Sequence, residues 1–166
     1  MKRNGIWKKH MLLTSIYLCL TLFWVYANES KISQCKRLIT IVDQGNNSIE
    51  TNKGYQVTTS YQLAKDLEKI TQILIKSKFG DTKLAEFNDK FATIFRNWNQ
   101  QIGKASKALA TTKTAEPSKN GRITIKKARE EINTNLISAY YTAKNFDVLF
   151  EELNEYCNQT EESVGF

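Results

Sequence analysis

The chain has 166 residues, a net charge of +7, three cysteines, one histidine, one proline and seven glycines. That length fits one domain of ordinary size, and 41% hydrophobic with 25% charged residues excludes wholesale disorder. So few glycines and prolines leave little of the turn chemistry that a many-stranded β-sandwich needs.

Residues 1–10 read MKRNGIWKKH, with Lys2, Arg3, Lys8 and Lys9 and no acid. An uncharged, mostly apolar run extends from Met11 to Tyr26, and Val25-Tyr26-Ala27 offers a cleavage site after Ala27. This is the grammar of a secretory signal peptide over residues 1–27. The alternative is an uncleaved membrane anchor. Residues 11–26 would span about 24 Å as a helix, short of a hydrocarbon core of about 30 Å. Trp24 and Tyr26 would then sit as interfacial anchors. Either way, residues 28–166 are expected outside the cytosol, in a periplasmic, lumenal or secreted setting. If the leader is kept, residues 11–26 tether them to the membrane.

Cys35 and Cys157 are the cysteines of the exported part, and outside the cytosol such a pair points to one disulfide. The alternative is two buried free thiols.

The first predicted helix runs from Ser30 to Gln44, with Ile32, Cys35, Ile39 and Val42 on one face. Ser30 is its N-cap and Gly45 its stop. A polar connection with Asn46, Asn47 and Gly54 leads to a second helix from Ser60 to Lys78. Leu63, Leu67, Ile70 and Leu74 hold its face, Ala64 and Ile73 flank it, and Thr59 with Gln62 fits a capping box. Phe79-Gly80-Asp81 is a short break, with Gly80 in a left-handed conformation and Asp81 capping the third helix. So short a link implies an antiparallel hairpin.

The third helix is predicted from Thr82 to Ala110. Its stripe is Leu84, Phe87, Phe91, Ile94, Trp98, Ile102, Ala105 and Leu109. A polar loop with Pro117 and Gly121 leads to the fourth helix, from Thr124 to Cys157. Ile125, Ala128, Ile132, Leu136, Ala139, Ala143, Phe146, Phe150, Leu153 and Cys157 form its stripe. Residues 159–166 read as a disordered tail.

Four amphipathic helices must bury their faces together. The expected fold is all-α: an exported four-helix up-down-up-down bundle over residues 28–158, with a long protruding third–fourth helical hairpin. That topology sets the start of the first helix and the end of the fourth at one end, so Cys35 and Cys157 meet there. The aromatic stripe Phe87, Phe91, Phe95 and Trp98 reads as core.

The four leader cations supply more than half of the +7, and 20 basic and 17 acidic residues remain. Their distribution is uneven. Lys104, Lys107, Lys113, Lys119, Arg122, Lys126, Lys127 and Arg129 face one acid in their stretch, Glu116. From Asp147 to Phe166 there are six acids and no cation. The hairpin tip is thus expected to be basic and the other end acidic. From the helix lengths the tip projects roughly 15 Å past the shorter pair.

Placing His10 in the leader leaves the exported part without imidazole. That removes Ser-His and Cys-His nucleophile pairs and histidine metal sites. Neither common phosphate-cradling glycine loop occurs. Glu130-Glu131 and Glu151-Glu152 are adjacent pairs pointing about 100° apart on a helix, so neither clasps a substrate. No catalytic, metal or cofactor-binding residue and no cofactor is expected.

The expectation is a non-enzymatic extracytoplasmic structural or interaction protein. Its basic tip would meet an anionic protein, cell-wall polymer or lipid surface, the alternative being a solvated lysine-rich tip that keeps the protein soluble. Nucleic acid is not expected, because no base-reading motif accompanies the charge. The alternative is a small-ligand or ion-binding helical bundle, which needs a cavity between helices.

Overall fold

A computed structural model describes residues 29–52 and 56–162 of the chain, with side chains through residue 159. The leader and its cleavage site, Gly54 and the last four residues lie outside the described residues. Four helices and no strand occur among those described: α1 (Lys31–Thr51), α2 (Val57–Lys76), α3 (Thr82–Thr114) and α4 (Lys119–Glu162). No helix among them is long and apolar enough to cross a membrane.

α3 packs along both α2 and α4, whereas α1 lies chiefly on α2 and touches α3 and α4 more sparingly. Leu38, Val42, Leu67, Leu74, Leu84, Phe87, Phe91, Phe95 and Leu153 are buried almost completely. An aromatic cluster occupies the middle of the core. Phe91 and Phe95 meet the Phe146 ring edge-on at 5.8 Å, and Phe146 stacks on Phe150 at 5.7 Å. Such pairs add to the stabilisation from apolar burial. Trp98 Nε1 donates to the Ala139 carbonyl at 3.0 Å, so the indole is buried with its polar atom satisfied.

The chain ends of the bundle meet as expected. Cys35 and Cys157 lie at disulfide distance, with Cα atoms 5.8 Å apart across 122 residues of sequence. Such a pair fits an oxidising, extracytoplasmic compartment. Around it, side chains bind the α2–α3 turn. Buried Gln34 Oε1 accepts from the Gly80 and Asp81 amides at 2.8 and 3.0 Å. Its Nε2 donates to the Glu29 carbonyl at 2.9 Å. Asp81 caps α3 by accepting from the Leu84 amide at 2.9 Å. The same carboxylate accepts from Tyr156 Oη at 3.0 Å, which ties the start of α3 to the end of α4. Arg37 pairs with Glu29 at 2.6 Å, donates to the Lys78 carbonyl at 2.8 Å and lies over the Phe79 ring. The Arg37 hydrogen bond holds the Glu29 carboxyl below the usual glutamate range.

Several local expectations are corrected. α1 does not stop at Gly45 but runs on to Thr51. Gly45 is buried there, and the Phe95 ring sits where a Cβ would project, with Ile70 close by. The glycine serves close helix approach, not termination. Cys35 and Val42 of the expected stripe are buried, Ile32 and Ile39 only partly, and Leu38 and Ile41 from outside it are buried beside them.

α2 begins at Val57, three residues early, and no side chain caps its start. Thr59 donates to the Gln56 carbonyl and Gln62 to Asp66, so the capping box does not form. Ile73 is exposed. Gly80 has no positive φ, because Gln34 holds the turn by its amides instead. α3 continues four residues past Ala110.

α4 starts at Lys119 and continues to Glu162, into the stretch expected as tail. Leu136, placed in its core stripe, is exposed. α4 packs along α3 but touches α1 little, so its other flank stays open there.

Candidate functional site

The α3–α4 hairpin turns over four residues. Ser118 begins the turn into α4: its hydroxyl accepts from the Gly121 amide at 3.0 Å and its carbonyl from the Arg122 amide at 3.0 Å. Pro117 precedes it with a fixed φ. Gly121 is buried in the first turn, where a Cβ would collide with the Glu116 carbonyl. Only a residue without a side chain fits so tight a reversal. The segment expected as a loop through Gly121 is therefore partly helix.

Small residues bring the two helices together in this region. Ala105, Ala108 and Ala128 are buried, whereas the bundle's middle carries phenylalanines and a tryptophan. The hairpin is correspondingly thin. Ser106 Oγ donates to the Val57 carbonyl at 3.3 Å, which marks the level at which α2 begins. Beyond it, Lys107–Thr114 of α3 extends about 12 Å, paired with the first turns of α4.

Lys104, Lys107, Lys113, Lys119, Arg122, Lys126, Lys127 and Arg129 are all exposed. Lys104 sits just short of Ser106, and the other seven belong to the projecting part. Among the described residues none of the eight pairs with a carboxylate; the ion pairs there join Glu29 with Arg37, Asp66 with Lys69 and Glu86 with Lys83. The same-sign charges on so thin a rod repel one another and raise the local potential. The structure thus collects the eight cations on one element.

The acidic half of the expected charge map changes. Asp147, Glu151, Glu152 and Glu155 are exposed on α4. Yet the same end of the bundle carries Lys31, Arg37 and Lys83 from the other helices and Lys78 from the α2–α3 turn. It is a mixed end with an acidic α4, not an acidic end. A run of acids along one stretch of chain carries no signal of the cations that other helices bring beside it.

A surface groove of about 590 Å³ lies between α3 and α4, lined by Asp89, Lys90, Thr93, Ile94, Asn97 and Val148 among others. It opens to solvent and is not enclosed between helices. No group of three or more His, Cys, Asp or Glu among the described residues could hold a metal ion. One buried polar atom, Asn88 Oδ1, has no partner, while its Nδ2 donates to the Leu74 carbonyl at 3.1 Å.

The chain matches no known family model, no curated protein and no solved structure. The functional reading therefore rests on the hairpin's geometry and charge.

Proposed function

We propose that this is a non-enzymatic, extracytoplasmic interaction protein whose α3–α4 hairpin meets an anionic surface. The observation that carries this reading is the exposed, unpaired set of cations on the projecting hairpin. A predominantly basic rod steers an acidic partner and favours it over a basic one. The cysteine pair supports the compartment, and the basic-then-apolar leader supports export, cleaved or retained as a membrane tether. If the leader is retained, it joins α1 near Glu29, at the cysteine end. The basic tip would then point away from that membrane.

The test separates position from net charge. One full-length variant reverses Lys113, Lys119, Arg122, Lys126 and Lys127 to Glu. A control reverses Lys36, Lys65, Lys76, Lys78 and Arg96, which are exposed elsewhere. Salt-dependent retention on a polyglutamate matrix should fall steeply for the tip variant and far less for the control. Equal losses would refute a dedicated hairpin surface, since net charge alone would explain them.

A further inference from the structure

α4 carries a second unusual surface. Ile137, Tyr140, Tyr141 and Val148 are more than half exposed, at 53, 58, 61 and 59%, with Leu136 beside them. Exposed apolar residues scattered singly mean little, but a contiguous group at the middle of one helix marks a contact surface. Ile137, Tyr140, Lys144 and Val148 succeed one another at three- and four-residue steps, so they share a face. The same steps lead back through Asn133, Glu130 and Lys126 to Arg122, and forward to Glu151 and Glu155. One continuous seam is therefore basic at its start, apolar at its middle and acidic at its end.

We infer that this seam pairs with the same seam of a second copy, antiparallel, about a two-fold axis at the level between Ser138 and Ala139. The inference rests on the reading that the hairpin cations meet an anionic surface, and it names that surface for the α4 half. Lys126 and Glu151 are equidistant from the point between Ser138 and Ala139, as are Arg122 and Glu155. A two-fold axis there sets each cation level with an acid of the other copy. Ile137 and Tyr140 are likewise equidistant, so the apolar group meets itself across the axis.

The two residues of contrary sign also fit. Lys144 comes within about one turn of Glu130 in the second copy. A parallel pairing would instead align cations with cations and acids with acids. Apolar contact alone would leave register loose, and the charges fix both direction and register. This is the isologous contact that closes a dimer without leaving a free sticky face.

Sedimentation equilibrium of the full-length chain at low and high salt tests the inference by charge exchange. Arg122→Glu with Lys126→Glu should weaken self-association at least about tenfold at low salt. Glu151→Lys with Glu155→Lys should do the same. All four together should restore association to within about threefold of the native chain, and Ile137→Asp should weaken it at either salt. These sites are exposed, and circular dichroism would verify that each variant stays helical. A chain that is monomeric throughout, or a quadruple variant that does not recover, overturns the dimer. Association driven by the leader would ignore all of these charges, which also overturns it. Polyglutamate retention measured on the same samples keeps the two ideas apart. A monomer with tip-dependent retention sinks the dimer and leaves the hairpin reading intact.

Discussion

The two ends of this bundle are built on opposite principles. At the cysteine end, α1, the α2–α3 turn and α4 are cross-linked by a covalent pair and by a buried glutamine. An aspartate there caps one helix while accepting from a tyrosine on another. Every element has a partner. At the hairpin end, α3 and α4 continue past the start of α2, held by alanines, and among the described residues their cations have no acidic partner. The contrast teaches where stability and interaction are kept. Large side chains and satisfied polar groups hold one end. The other gives up burial and charge neutrality, which costs stability, and presents an unbalanced surface.

The comparison can be broken by attacking the held end. Replacing Cys35 and Cys157 with serine should cost about 2–4 kcal/mol in denaturant unfolding, the largest effect expected from the cross-linked end. A change below a few tenths would show that the end is held without the covalent link. Gly45→Ala should destabilise by about 1–3 kcal/mol, although alanine is the better helix former. The added methyl competes with the Phe95 ring for one position. A stabilised variant would mean that α1 can shift outward freely.

Smaller effects sharpen the picture. Asp81→Ala removes the α3 cap and leaves Tyr156 without that acceptor, for a loss of about 1–2 kcal/mol by thermal or denaturant unfolding. Asp81→Asn should recover part of it. Acid should act through Glu29, whose carboxyl the Arg37 hydrogen bond holds below its usual range. A group depressed in the folded state stabilises above its unfolded pKa, and that contribution is lost as pH falls through its folded pKa. Stability should therefore decline through the carboxylate range, and Glu29→Gln should flatten part of that decline. Because the pair is partly exposed, the difference at neutral pH should stay below about 1 kcal/mol. A Glu29→Gln variant with an unchanged acid slope would remove the pair from the account.

Much of the architecture was legible in the chain because amphipathic spacing is a local signal. The stripes through Leu63 to Leu74 and Leu84 to Trp98 are buried as their spacing implies. The meeting of Cys35 with Cys157 followed from topology and needed no detail of packing. Failures came where a residue answers to distant neighbours. Gly45 reads as a helix stop because its closest partner, Phe95, is fifty residues away. Gly121 reads as loop, yet it lets α4 begin against the Glu116 carbonyl. Leu136 matches the core period but faces a flank that α1 leaves open. The cations were visible as a run. Their isolation from acids, and the lysines and arginine that share an end with the acidic stretch of α4, appear only in three dimensions.

On the proposed function the hairpin's charge serves interaction while the opposite end carries the stability. Denaturant unfolding of the full-length chain with Lys113, Lys119, Arg122, Lys126 and Lys127 reversed to Glu tests it most directly. The midpoint should stay within about 0.5 kcal/mol of the native chain or rise slightly, since acids at the start of α4 favour its dipole. A loss above about 1 kcal/mol would contradict the account, because the cations would then belong to the framework that holds the fold together.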